Sequence, residues 1–151
     1  MTQTRKIALV TDSSCDLSDE QLQAYGIRMI SLRIVFQNAE YRDRVELSEA
    51  QLYDMLKTEL PKTSLPLPED VSTLYDGLVA EGYTDVVHLC ISSGLSGTYN
   101  MVRMIVEDYK AQMNIRVVDS QTLSTGLGAM VLAAAQALEA GEDPDSAVQK
   151  A

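Results

Sequence analysis

A strand-to-helix turn in the middle of the chain constrains its fold more than any other stretch. The turn has the sequence Ile91-Ser-Ser-Gly-Leu-Ser-Gly-Thr98. An apolar run over residues 85–91 leads into it, and apolar residues at helical spacing follow it over residues 99–110. A strand that turns directly into a helix leaves backbone N–H groups free at the helix start, where an anion can bind.

The same alternation of strand and helix patterns extends along the whole chain. Apolar runs predict strands at residues 6–10, 27–36, 84–91 and 115–118, with helices between them. Ser18-x-x-Gln21 and Ser48-x-x-Gln51 are capping boxes, and Asp143-Pro144 predicts the start of a last helix. The pattern predicts an α/β fold with a mainly parallel sheet and helices on both faces, in three α/β/α layers.

The region between residues 27 and 68 gives more local predictions. Residues 27–36 are expected to form one strand, and residues 41–45 to pair back on it as a short hairpin. Apolar residues from Leu52 to Leu60 predict a helix that Pro61 closes. Residues 63–68, punctuated by prolines, are expected to form a loop.

Composition limits the classes of function. The 151 residues suit one domain, and the formal net charge of −10 argues against a nucleic acid partner. Neither a signal peptide nor a membrane span is visible in the sequence. The two cysteines, Cys15 and Cys90, do not form a C-x-x-C pair, so reduced thiols and a cytoplasmic location are expected. The last helix has barely two turns, which suggests that a further domain follows in the natural protein.

The serine- and glycine-rich turn is the candidate anion site. Ser92, Ser93, Ser96 and Thr98 supply hydroxyl groups. Gly94 and Gly97 allow the backbone to approach a ligand closely. Because ligands bind at the carboxyl ends of parallel strands, we expect the loops that carry Ser13, Ser14, Thr63 and Ser64 to converge on the same rim. The alternative is a plain helix cap with spare serines.

Other reactive side chains favour structural roles. Asp12, Asp16 and Asp119 could bind magnesium, but aspartates after strands commonly cap loops. His88 lies in the middle of a strand, which favours a core position over catalysis, and Cys15 is expected to be a partly buried bystander. We therefore assign no catalytic residue and no metal ligand. A magnesium-dependent phosphoryl-transfer enzyme, with Asp12 or Asp119 holding the ion, remains the alternative.

Four motifs in this order and spacing resemble the DegV family. They are Lys6-Ile-Ala-Leu-Val-Thr-Asp-Ser-Ser-Cys-Asp-Leu17, Lys62-Thr-Ser-Leu-Pro66, Ile91-Ser-Ser-Gly-Leu-Ser-Gly-Thr-Tyr99 and Val118-Asp-Ser120. The resemblance covers essentially all of the chain. It implies that residues 1–151 are the N-terminal α/β domain of a two-domain bacterial fatty-acid-binding protein of the FakB type, without the C-terminal domain.

The resemblance also implies a function and a site. The acyl chain of a long-chain fatty acid would lie in an apolar tunnel between the domains, with its carboxylate held by Thr63 and Ser93. The remaining rim residues would support them, namely Ser92, Gly94, Ser96, Gly97, Thr98, Ser13 and Ser14. The protein would have no cofactor and no catalysis of its own. It would present the acid to a separate fatty-acid kinase, which makes acyl-phosphate for phospholipid synthesis, with transient membrane contact for lipid exchange. Leu65 departs from the family pattern, which usually has Gln there.

Overall fold

The computed structural model describes residues 4–151. Its strands are β1 (Ile7–Asp12), β2 (Arg28–Ile30), β3 (Arg33–Val35), β4 (Glu40–Arg42), β5 (Lys62–Ser64), β6 (Asp85–Cys90) and β7 (Asn114–Asp119). Its helices are α1 (Asp19–Ala24), α2 (Glu49–Met55), α3 (Pro68–Ala80), α4 (Thr98–Val106), α5 (Ser124–Glu139) and α6 (Pro144–Lys150). Short 3-10 turns follow β1 at Ser13–Cys15 and α4 at Glu107–Tyr109.

The main sheet is parallel and has the strand order β2-β1-β6-β7. Strand β6 is buried along its whole length, because helices cover both faces of the sheet. One face packs against α3 and α4 through side chains such as Tyr75, Leu78 and Val102. The other face packs against α1, α5 and α6 through side chains such as Leu127 and Val131. The predicted three-layer α/β/α fold is confirmed.

The predicted long strand over residues 27–36 is wrong. It divides into β2, which joins the main sheet, and β3, which belongs to a second, antiparallel sheet with the order β4-β3-β5. Strand β1 ends at Asp12, which aligns with Ile30 at the end of β2. The residues after Ile30 therefore have no part of β1 to pair with. The chain then turns at Leu32, whose N–H donates to Ser13 Oγ and whose carbonyl accepts from the Asp43 N–H.

The second sheet also corrects the prediction of a loop at residues 63–68. Residues Lys62–Ser64 form β5, which pairs with β3 so that Thr63 aligns with Ile34. On the other side of β3 the predicted hairpin is present, with Ile34 aligned to Tyr41, but its second strand is Glu40–Arg42 rather than residues 41–45. We call β3, β4 and β5 the small sheet. It packs with α2 around a separate core that includes Ile34, Phe36 and Leu47.

The helix ends follow the sequence closely, with one exception. Ser18 and Ser48 form the predicted capping boxes, and Asp143 caps α6 through the Ser146 N–H. Helix α2, however, ends at Met55, and Leu60 lies beyond it with 84% of its surface exposed. Among residues 4–151, no helix is long and apolar enough to cross a membrane.

Candidate functional site

A groove lies where the loops at the carboxyl end of the main sheet meet the small sheet. Its volume is about 490 Å³, which is within the usual range for small-molecule sites. The small sheet and the residue after it contribute Thr63, Ser64 and Leu65 to one wall. The loop between β6 and α4 contributes to the other. The complete lining is Ser14, Leu32, Thr63, Ser64, Leu65, Ile91, Leu95, Ser96, Gly97 and Leu123.

The lining contains hydroxyl groups and apolar side chains but no basic side chain. Four of its residues carry hydroxyl groups, and five are leucine or isoleucine. No lysine or arginine is among them. A ligand in this groove would therefore meet neutral hydrogen-bond donors and apolar side chains together.

The structure brings together some of the predicted site residues and not others. Thr63, Ser96, Gly97 and Ser14 line the groove. The other predicted residues lie outside the lining, in the turns around it and at the start of α4: Ser13, Ser92, Ser93, Gly94 and Thr98.

Ser93 fixes the turn after β6 to the end of β7. Its backbone N–H donates to Asp119 Oδ1 at 3.1 Å, and its hydroxyl donates to Asp119 Oδ2. The Gln121 N–H donates to the same carboxylate at 3.1 Å. The Ser93 hydroxyl and these backbone donors hold the pKa of Asp119 below its ordinary value. The Ser93 proton is therefore committed to a protein acceptor.

Ser92 and Gly94 shape the same turn. Ser92 Oγ accepts from the Gly94 N–H at 3.2 Å, and the Ser92 carbonyl accepts from the N–H groups of Leu95 and Ser96. These bonds fold the chain back so that Ser96 and Gly97 reach the groove just before α4 begins.

Ser96 has a different hydrogen-bond pattern. Its hydroxyl oxygen accepts from the Thr98 N–H at 3.2 Å and lies 2.8 Å from Thr98 Oγ1. It contacts no carboxylate of the protein within the part of the chain described. Next to it, a Cβ on Gly97 would lie 3.3 Å from Leu65 Cδ2, so glycine lets the two walls of the groove approach.

Asp12 is buried next to the groove and holds Ser14, which lines it. The N–H of Ser14 donates to Asp12 Oδ1 at 3.0 Å, and the Ser14 hydroxyl donates to the same oxygen. The Ile91 N–H donates to Asp12 Oδ2 at 2.8 Å, which links β1 to β6. Burial raises the pKa of Asp12, opposed by these bonds. These hydrogen bonds are consistent with the predicted structural role of Asp12.

The other reactive side chains lie away from the groove. His88 is fully buried, as predicted, with Nδ1 2.9 Å from the Tyr75 hydroxyl oxygen. Burial lowers the pKa of His88 to about 3, so the imidazole is neutral. Cys15 is fully buried rather than partly buried, and burial raises the pKa of its thiol. A neutral thiol is a poor nucleophile.

Sequence analysis missed most of the apolar half of the site. Leu95 and Leu123 are 61% and 49% exposed, and both lie in loops that are otherwise rich in hydroxyl groups. A leucine in a loop otherwise rich in hydroxyl groups is the sequence signal that could have identified these two lining residues. Ile91 and Leu32 give no such signal, because Ile91 ends an apolar run and Leu32 lies within one, so that both look like ordinary core.

Comparison with known proteins places this fold in a family. The sequence profile described as "Uncharacterised protein, DegV family" matches residues 6–151. The chain belongs to the DegV family. It is 40% identical over 147 residues to a DegV domain-containing protein of Clostridium acetobutylicum, covering 96% of this chain and 51% of the relative. A second relative, from Clostridium perfringens, is 34% identical over 145 residues, with 96% and 51% covered. The chain thus spans about half the length of these DegV relatives.

Solved DegV structures resemble the chain closely. DegV of Bacillus subtilis, described as a fatty acid binding protein, is 30% identical with a TM-score of 0.89, over 97% of this chain and 52% of that one. A Thermus thermophilus DegV protein described for its fatty acid binding is 32% identical with a TM-score of 0.83, over 95% and 51%. A stearic acid-binding protein of Eubacterium ventriosum is 29% identical with a TM-score of 0.85, over 95% and 51%.

Proposed function

We propose that this protein is a fatty-acid carrier that holds a long-chain fatty acid by its carboxylate. In this proposal it is the N-terminal domain of a two-domain cytoplasmic protein. It presents the acid to a separate fatty-acid kinase for acyl-phosphate formation, and contacts the membrane transiently for lipid exchange. The observation that carries the proposal is a groove that joins hydroxyl groups to leucine side chains and has no lysine or arginine in its lining. The fatty acids bound by solved relatives support it.

The carboxylate is best accommodated between the two walls of the groove. No group within residues 4–151 hydrogen-bonds the hydroxyls of Thr63 or Ser64, so both can donate to a ligand. On the other wall, Ser96 lines the groove whereas the Ser93 hydroxyl is bound to Asp119. We therefore propose Thr63 and Ser96 as the direct ligands, with Ser93 holding the turn in place. The positive end of the α4 dipole adds to the attraction.

The acyl tail would account for most of the affinity. Each methylene group removed from water contributes about 0.8 kcal/mol, and the five leucine and isoleucine residues of the lining provide the apolar surface. Leu65, which packs against Gly97, adds apolar surface to this part of the groove.

The alternative, magnesium-dependent phosphoryl transfer, fits the site less well. Magnesium needs carboxylate oxygens that are free to coordinate it. Both oxygens of Asp12 accept from Ser14 and Ile91, and both oxygens of Asp119 accept from Ser93. The described residues contain no group of three or more potential metal-ligating side chains.

The proposal is tested by identifying and measuring the ligand. We expect mass spectrometry of an organic extract of the purified protein to find a long-chain fatty acid. Thr63→Val and Ser96→Ala should each weaken palmitate binding roughly tenfold, because each removes a hydrogen bond to a charged group. Thr73→Val, on the exposed face of α3, is the matched control and should leave the dissociation constant unchanged.

Two results would reject the carrier. One is a protein that contains no fatty acid and binds neither added palmitate nor added oleate. The other is heat of binding with ATP and magnesium in calorimetry, which would favour the phosphoryl-transfer enzyme. For the kinase step, acyl-phosphate should form only when a fatty-acid kinase and ATP are added to the loaded protein.

A further inference from the structure

We infer that Thr98 is a positioning residue, whose buried hydroxyl donates to Ser96 and so directs the Ser96 proton into the groove. This inference rests on the proposed function and adds to it a residue that does not itself contact the ligand. Thr98 is the first residue of α4, is fully buried and does not line the groove.

The buried Thr98 hydroxyl has a single hydrogen-bond partner among the described residues. Its Oγ1 lies 2.8 Å from Ser96 Oγ, and its backbone N–H donates to the same Ser96 oxygen at 3.2 Å. Within residues 4–151, Thr98 Oγ1 has no second hydrogen-bond partner. The Ser96 oxygen is therefore the one acceptor available to the Thr98 proton.

The cost of an unpaired buried donor decides the direction of this bond. If Ser96 donated to Thr98, the Thr98 proton would remain buried without an acceptor, at a cost that proteins generally avoid. If Thr98 donates instead, the unpaired proton belongs to Ser96. That proton can point into the open groove, where water or a ligand accepts it.

With Thr98 as donor, Ser96 accepts two hydrogen bonds and has its own proton free. Two bonds from the same residue also fix the orientation of the Ser96 side chain, which reduces the entropy lost when a ligand binds. Ser14 and Ser93 show the opposite arrangement, because each donates its proton to an aspartate. Thr98 thus makes Ser96 a donor at a rim where neighbouring serines are bound to the protein.

The experiment compares Thr98→Val, which keeps the shape but removes the hydroxyl, with Thr98→Ser, which keeps the hydroxyl. Palmitate binding is measured for both, for Ser96→Ala, and for the double variant Thr98→Val with Ser96→Ala. Thr98→Val should weaken binding roughly fivefold, as expected for one hydrogen bond. Thr98→Ser should restore wild-type affinity. Thr98→Val should have no further effect once Ser96 is alanine.

A ligand without a carboxylate shows whether Thr98→Val acts through the orientation of the Ser96 hydroxyl or through a general loss of folding. Methyl palmitate cannot accept as an anion, so its dissociation constant should change less than twofold on Thr98→Val. The inference is overturned if wild type binds palmitate and Thr98→Val binds it equally well. It is also overturned if Thr98→Val weakens binding by the same factor in the Ser96→Ala background. A wild-type protein that binds neither palmitate nor oleate overturns the proposed function itself, and the inference with it.

Discussion

His88 is a buried imidazole whose protonation the fold opposes. Its pKa is lowered to about 3 by burial, against about 6.5 in an unfolded chain. Between these values the unfolded state binds a proton that the folded state does not, so stability decreases as the pH falls below 6.5. The loss should be about 1.4 kcal/mol per pH unit in this window. Urea unfolding at pH 7, 6 and 5 measures it.

The control for this prediction is a side chain that does not titrate. His88→Gln can still hydrogen-bond to Tyr75 but gains no proton between pH 7 and 5. Its free energy of unfolding should therefore depend less steeply on pH than that of wild type, whatever its absolute stability. Parallel pH profiles would show that His88 is not responsible.

The hydroxyl groups at the rim could be located from the sequence, but which of them are free to donate to a ligand could not. Sequence predicts that serines and threonines gather at this rim, and the groove contains Thr63, Ser96 and Ser14. The family resemblance names Ser93 as the carboxylate ligand, but local spacing does not distinguish it from Ser96, three residues later in the same motif. The difference depends on Asp119, at the end of a neighbouring strand, which accepts the Ser93 proton. A tertiary contact of this kind leaves no trace in local spacing.

At the scale of elements, helix α5 approaches the loop after β1 closely enough to require a glycine. A Cβ on Gly128 would lie 2.5 Å from the Cys15 carbonyl oxygen and 3.1 Å from Leu17 Cδ2. Gly128→Ala must therefore move the helix or the loop, and should destabilise the protein by roughly 1–3 kcal/mol. Chemical denaturation measures this change.

Gly77 in α3 provides the matched control. Apart from its chain neighbours and the adjacent backbone of the helix, no atom lies within 4 Å of a Cβ built there, so Gly77→Ala should stabilise the helix by about 0.5–1 kcal/mol. Opposite signs for the two substitutions are expected. If both stabilised the protein, the close approach of α5 to Cys15 would be incorrect.

The small sheet is joined to helix α3 by an ion pair between Arg42 and Asp70. Arg42 Nε and Nη2 donate to the two oxygens of Asp70 at 2.8 and 3.1 Å. The pair connects the strand beside β3 to the first turn of α3. Because β5 carries Thr63, loosening this connection should loosen one wall of the groove. Arg42→Gln should thus accelerate hydrogen exchange of the amides in Lys62–Ser64 more than in Asp85–Cys90.

A second arginine tests whether any lost ion pair has this effect. Arg28, on the edge strand β2 of the main sheet, pairs with Glu81. Arg28→Gln removes a similar charge but has no connection to the small sheet, so exchange in Lys62–Ser64 should stay at the wild-type rate. Equal acceleration by both variants would rule out a specific role for Arg42.

The elements of the main sheet could be predicted from sequence, and those of the small sheet only in part. Strands β1, β6 and β7 and helices α3 to α6 each carry a clear apolar period or a cap. Strands β2 and β3 share one apolar run, and the point where it divides depends on where β1 ends. Strand β5 is three residues long, its residues are all exposed, and it pairs with β3 although β4 and α2 separate the two strands in the sequence. A strand defined by distant backbone bonds has no local signal.

At the scale of the whole molecule, the groove depends on two separately built parts. The main sheet supplies Ser96 and Gly97 at the start of α4, and the small sheet supplies Thr63 and Ser64. The head group of a ligand would be held only when both walls are in place. The direct succession of strand β6, turn and helix α4 thus sets the geometry of one wall, while the geometry of the other depends on how the small sheet is attached.

The net charge of the chain predicts how the association rate of an anionic ligand depends on salt. With 22 acidic and 12 basic residues, the formal charge is −10. A fatty-acid anion would therefore be repelled at long range, and in the proposed carrier the neutral donors of the groove would hold it at short range. Salt screens this repulsion, with a Debye length of about 30 Å at 0.01 M and about 8 Å at 0.15 M. The association rate of laurate should therefore rise as the sodium chloride concentration increases, opposite to the usual behaviour of complementary charges.

Stopped-flow measurements below the micellar concentration test this, with dodecanol as the uncharged control whose association rate should not change. A laurate rate that falls with salt would indicate a basic entrance that draws in the anion.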